Sequence, residues 1–166
     1  NFFYRMEDIR ENYPPDAFYG AMNFLSTHDT PRMLTLLGVP EGDTPEDKAE
    51  RALYRLSVNA RELAEQRLRL GEHMMLRMVM SMPGMPCVYY ADEAGMEGME
   101  DPFNRGTYPW GAEDSDLVRF HQILGQLRAS RKSLQKGDLR YHYAKGSVLA
   151  FSRNYEDEST MLVLNA

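Results

Sequence analysis

Ala21-Met-Asn-Phe-Leu-Ser-Thr-His-Asp-Thr-Pro-Arg-Met-Leu-Thr-Leu-Leu-Gly38 is the stretch that decides how this chain is read. It opens apolar, as a strand buried on both faces does, and then breaks into Ser26, Thr27, His28, Asp29, Thr30, Pro31 and Arg32. In open and closed α/β sheets the ligand sits where the carboxyl ends of the strands point. A strand over Ala21–Leu25 delivering a His-Asp pair and an arginine at its end is therefore expected to form one edge of an active site. Adjacent residues point apart within a strand, so His28 and Asp29 both face such a site only if the strand has already ended. Pro31 favours that ending.

Upstream, Phe2, Phe3, Met6 and Ile9 recur at helical spacing, and Pro14-Pro15 is expected to end that helix. A connector through Phe18 and Gly20 would lead into the strand. Downstream, Met33 to Leu37 suits a short helical turn. Thr44-Pro45-Glu46-Asp47 is a helix start, with a hydroxyl cap, proline at the first position and acids at the positive end of the dipole. Ala49 through Ala64 continues it with apolar residues every three or four positions, and Met74 to Met82 resumes the pattern. After the turn Pro83-Gly84-Met85-Pro86, Cys87-Val88-Tyr89-Tyr90 is a second short strand ending in Asp92 and Glu93. Met96 to Gly111 lacks periodicity and is expected to be a loop, and long loops inside domains are usually functional. Asp114 or Ser115 caps a helix whose stripe is Leu117, Phe120, His121, Leu124 and Leu127. From Gly137 the pattern changes: Leu139–Tyr143, Val148–Arg153 and Thr160–Leu164 read as an antiparallel meander.

The 166 residues carry 43% apolar and 27% charged side chains, a globular composition with enough chain for a real core. A formal net charge of -6 disfavours nucleic acid, whose binding leans on clustered Lys and Arg. No apolar run is long enough to cross a bilayer, so no membrane partner is expected. The single cysteine, Cys87, forms no internal disulfide and leans weakly toward a reducing compartment such as the cytoplasm; nothing else bears on localisation. His73, His121 and His142 lack acidic partners at metal spacing, so neither metal nor cofactor is expected. Both termini read as interior to a longer protein.

Three motifs, in order, carry a family resemblance. Phe24-Leu-Ser-Thr-His-Asp29 with Thr30-Pro-Arg32 resembles the motif at the end of the seventh barrel strand of the α-amylase family. Gly84-Met-Pro-Cys-Val-Tyr-Tyr-Ala-Asp-Glu-Ala-Gly95 resembles that family's eighth-strand signature. Asp101-Pro-Phe-Asn-Arg105 with Pro109-Trp110 resembles the loop that follows. Thr27 stands where many members have Asn, which is more similar to the neopullulanase, cyclomaltodextrinase and maltogenic-amylase branch; Ala91 stands where glycine is commoner.

The resemblance implies an α/β fold, the C-terminal portion (last two β/α units) of a TIM (β/α)8 barrel followed by antiparallel β strands. Residues 1–136 would belong to the barrel and 137–166 to the start of a β domain. A whole barrel needs about 250 residues. The implied function is a segment of a retaining glycoside hydrolase or transglycosylase acting on an α-glucan or maltooligosaccharide. Such an enzyme needs two reacting carboxyls about 5 Å apart, and in this family both lie on earlier strands. The chain alone is therefore expected to be inactive, and its unpaired sheet edge to favour self-association. The alternative is a non-catalytic carbohydrate-binding or scaffold protein on the same barrel.

By the same resemblance Asp29 is the third acid, a transition-state stabiliser, with His28 beside it donating to sugar hydroxyls. Asp101 and Arg105 are implied sugar-subsite residues, and Arg32 is grouped with them, either orienting the loop or pairing with an upstream carboxylate. Blander uses stay open: Asp29 as a cap of the turn before Pro31, and Asp101–Arg105 as an ordinary loop ion pair. Tyr89, Tyr90 and Glu93 read as structural. Trp110 is either a sugar platform or a core anchor, the second being the commoner use. Cys87 reads as an inert buried thiol.

Overall fold

The computed structural model describes residues 2–36 and 82–165. The expected helix from Thr44 through Ala64 and most of the methionine-rich stretch lie outside the described residues. Chain contacts divide the molecule into two units: Asn1–Phe24, His73–Val88 and Phe120–Ala166 form the first, Leu25–Glu72 and Tyr89–Arg119 the second.

In the first unit, α1 (Phe2–Asn12) follows from the helical spacing of its apolar residues. Its last turn is closed by Tyr13 N–H donating to Ile9 O (3.0 Å) and by Asn12 Nδ2 donating to Asp8 O (2.8 Å). The chain then restarts at once as α2 (Pro15–Gly20), where a connector was expected. Proline at the first helical position lacks only an amide that would have no intrahelical partner there, so Pro15 starts a helix as readily as Pro14 stops one. Phe18, on α2, is buried in the core.

Strand β1 is shorter than expected, Met22–Asn23, and pairs in parallel with β2, Met85–Pro86. The second strand thus lies ahead of the expected Cys87–Tyr90. The ladder explains the shift: Met85 N–H donates to Ala21 O and Cys87 N–H to Asn23 O, each at 2.8 Å. In a parallel ladder alternate residues donate to one neighbour, so Pro86, with no N–H, takes the skipped position. Gly84 sits at φ +104 with a notional Cβ 2.3 Å from Ala21 O, so glycine alone fits beside β1. Burial on both faces is not observed: Met22 is 54% and Phe24 48% exposed, and among the described residues β1 has one pairing neighbour.

The meander forms as expected, with longer strands: β3 (Asp138–Lys145), β4 (Val148–Tyr155) and β5 (Glu158–Asn165), in that order and antiparallel. Gly146 and Glu156 open the two tight turns at φ 60 and 51, the positive values such hairpins require. Leu139, Phe151, Leu162 and Leu164 build the core with Phe18, Met82 and Leu134, the last from the short helix Lys132–Lys136.

In the second unit, α3 is Met33–Leu36 and Phe103–Arg105 forms a single 3-10 turn in the otherwise irregular loop. Asp114 is the cap of α4 (Ser115–Ser130), whose residues from Phe120 on belong to the first unit: its Oδ1 accepts from the amides of Asp116 (3.1 Å) and Leu117 (2.9 Å). The α4 stripe is narrower than its pattern suggests, since Leu117, His121 and Leu124 are buried while Leu127 is exposed.

Candidate functional site

All five sequence-selected site residues lie in the second unit. The strand has ended by Phe24, and Thr27 to Thr30 form a turn that its own hydroxyls seal. Thr30 Oγ1 accepts from Thr27 N–H and Thr27 Oγ1 from Asp29 N–H, both at 3.1 Å, and Thr30 N–H reaches Thr27 O at 3.4 Å. These threonines take the capping work that Asp29 would otherwise do. Its side chain is left 73% exposed, and its ionic partner among the described residues is His28, with Nε2 3.3 Å from Oδ2. The His28 side chain is itself 64% exposed. The turn therefore brings two adjacent side chains to one place.

Arg32 is fully buried. Its Nη1 donates to Tyr90 O (2.7 Å) and to Asp92 Oδ1 (2.9 Å), and its Nε to Asn104 O (3.0 Å). The guanidinium lies 4.6 Å from the centroid of the Tyr89 ring and 4.7 Å from that of Tyr90, a cation–π arrangement. Its backbone N–H donates to Gly98 O at 2.9 Å. Its carboxylate partner among the described residues is Asp92, downstream. With no exposed surface, Arg32 holds protein groups together in this structure. Burial pushes the Asp92 carboxyl above its ordinary value, opposed by a hydrogen bond to Ser26 and by the Arg32 cation.

Asp101 lies just ahead of the 3-10 turn and Arg105 ends it; the two pair at 2.9 Å, both well exposed. The Asp101–Pro102 peptide bond is cis. Between them in sequence sits Asn104, fully buried. Its Nδ2 donates to His28 O (2.8 Å) and Thr30 O (2.9 Å), with Thr27 O looser at 3.4 Å. The Asp101–Arg105 turn and the His28–Asp29 turn are thereby tied to each other. Gly98 permits this closeness: a Cβ there would lie 2.5 Å from Phe103 O and 2.7 Å from Asn104 Cα.

Trp110 is not a core anchor. It is 83% exposed, with its ring 4.5 Å from that of Tyr108. Cys87 is half-buried, not sealed in the core. Tyr89 and Tyr90 pack on Arg32 and on each other, and Tyr90 Oη donates to Gly106 O at 2.7 Å. Two residues escaped the sequence reading. Asp92 was visible as the polar end of a strand, but its partner was not. Asn104 lies inside the Asp101–Arg105 motif, where nothing in the local pattern marks it as buried.

No family model matches the chain. An amylopullulanase of Thermoanaerobacter thermohydrosulfuricus is 38% identical over 172 residues, an alignment covering 97% of this chain and 11% of that protein. Neopullulanase 2 of Thermoactinomyces vulgaris is 31% identical, with 92% of this chain and 22% of the relative covered. A cyclomaltodextrinase of Geobacillus thermopakistaniensis is 27% identical, with 97% and 23% covered. Among solved structures, an Anoxybacillus α-amylase superposes with a TM-score of 0.69 at 28% identity, covering 98% of this chain and 30% of that one. A debranching enzyme of Nostoc punctiforme, at 21% identity and a TM-score of 0.71, shares the fold over 99% of this chain and 28% of its own. The chain thus spans about a tenth of the amylopullulanase and under a third of the other proteins compared. On these likenesses, the chain belongs to the α-amylase family.

Proposed function

We propose that this chain is part of a retaining α-glucan-acting glycoside hydrolase or transglycosylase and supplies its third catalytic carboxylate, Asp29. Residues 1–136 form the last two β/α units of the (β/α)8 barrel in this reading, and 137–166 begin the β domain. The observation that carries it is the self-sealed Thr27–Thr30 turn. It relieves the Asp29 carboxylate of any capping role and leaves it exposed beside His28.

A fixed negative charge at that place stabilises positive charge developing on a sugar ring, most strongly where water is excluded. His28, 3.3 Å away, donates to sugar hydroxyls and shares the orientation of its neighbour. Asp101 and Arg105 serve the flanking sugar subsites, and Arg32 supports the loop from beneath. The nucleophile and the acid/base, which must stand about 5 Å apart, come from parts of the barrel outside this chain. The substrate is an α-glucan or maltooligosaccharide, and the isolated chain is inactive and self-associates through its unpaired sheet edge.

Asp29→Asn in the full-length protein tests the assignment. Turnover of maltooligosaccharides should fall by about 10²–10³-fold or more, with circular dichroism and melting temperature unchanged. Undiminished turnover would overturn it.

A further inference from the structure

We infer that Asn104 is a positioning residue for Asp29, acting through the backbone of the Thr27–Thr30 turn; the inference rests on the reading of Asp29 as the third acid. The hydroxyls of Thr27 and Thr30 fix the internal shape of the turn, but they belong to it and cannot fix where it stands. Asn104 can, because it comes from a different stretch of chain. Its Nδ2 donates to His28 O at 2.8 Å and to Thr30 O at 2.9 Å. The carbonyl of His28 shares a peptide plane with the amide of Asp29, and that of Thr30 belongs to the plane leading into Pro31. One amide group thus pins the backbone before and after the carboxylate-bearing residue.

Asn104 is itself held. Its side chain is fully buried, and its backbone carbonyl accepts from Arg32 Nε at 3.0 Å. A Cβ on Gly98 would come within 2.7 Å of its Cα, so the backbone there is packed against its neighbour. The chemistry selects asparagine. The turn presents carbonyl oxygens, so the group facing them must donate through two hydrogens and carry no charge into a buried place. An aspartate of the same shape would set its oxygens against theirs.

The test uses steady-state kinetics of the full-length enzyme on maltooligosaccharides, with affinity for a cationic iminosugar as a probe of the Asp29 charge. The variants are Asn104→Asp, the milder Asn104→Ser, Asp29→Asn, and Asn104→Ser combined with Asp29→Asn. Asn104→Asp should lower kcat about 10²-fold, the usual consequence of a misplaced catalytic group, with KM changed less than about threefold. Asn104→Ser, which keeps one donor, should lower kcat about tenfold, lose iminosugar affinity in step, and still unfold cooperatively. In the Asp29→Asn background Asn104→Ser should cost no further iminosugar affinity, because residues acting as one unit are not additive.

Unchanged kcat in Asn104→Ser overturns the inference even if Asn104→Asp fails to fold. So does a loss of iminosugar affinity that persists undiminished without the Asp29 charge. A lower melting temperature with unaltered kcat assigns Asn104 to stability alone and also overturns it. Full activity in Asp29→Asn overturns the functional reading and this inference together; an inactive Asp29→Asn beside a fully active Asn104→Ser overturns this inference only.

Discussion

Arg32 Nη1 stands 2.9 Å from Asp92 Oδ1, the arginine fully buried and the aspartate side chain nearly so. The pair joins the stretch that carries His28 and Asp29 to the residues that follow the second strand. Arg32→Met removes the donor to Tyr90, Asp92 and Asn104 together. Breaking one side of a buried pair costs about 3–5 kcal/mol, and Arg32→Met should fall in that range in chemical denaturation of the full-length protein. Asp92→Asn should cost less, about 1–3 kcal/mol, because the guanidinium keeps two carbonyls and two aromatic faces. Equal losses would show that the carbonyl and aromatic contacts contribute nothing.

The same aspartate gives a pH dependence with a defined sign. Its folded-state pKa is raised, burial being the largest cause. The folded protein therefore holds this proton more tightly than the unfolded chain. Stability from this group is fully present below the ordinary carboxylate value and is lost as pH rises through the raised one. Denaturation midpoints followed upward from the ordinary aspartate pKa should show this slope, and Asp92→Asn should flatten it. A carboxyl resonance of Asp92 titrating below its ordinary value would contradict the prediction.

Gly98→Ala adds a methyl group where there is no room. The nearest atoms are backbone, Phe103 O at 2.5 Å and Asn104 Cα at 2.7 Å, so no flexible side chain can yield. Overpacking of this kind costs about 1–3 kcal/mol. The displaced segment carries Asn104, so turnover should fall with stability. A variant as stable and active as the parent would show that the loop shifts freely.

Trp110→Ala should leave the melting temperature nearly unchanged. The ring is largely exposed, and such surface substitutions usually fall within about 0.5 kcal/mol. In this reading its contribution is a sugar-facing surface, so KM for maltooligosaccharides should rise while kcat holds. A stability loss of several kcal/mol would restore the core-anchor role.

Local grammar made much of this legible. The Asp114 cap, the meander and the first helix all follow from short-range patterns that the structure repeats, and the helical turn after Arg32 does too. The failures at Pro86 and Asn104 share a cause: each depends on what a residue meets far along the chain. Pro86 falls within β2 because its missing amide occupies the silent position of a parallel ladder, which no local pattern announces. Pro15 begins a helix because the neighbouring proline, not Pro15 itself, does the stopping. At the site, the His28–Asp29 pair was legible as a motif, whereas Asn104 was not. A buried polar residue is defined by its partners, and those of Asn104 are carbonyls more than seventy positions away.

The threonine-sealed turn has one last consequence. Because Thr27 and Thr30 hold the bend by themselves, folding places almost no demand on what stands at position 29. A neutral residue there would leave a protein that expresses, purifies and melts like its parent. Screens that rank variants by solubility or thermal shift would pass over it entirely. Under the role proposed for Asp29, an assay that follows the sugar is the measurement that would register the loss.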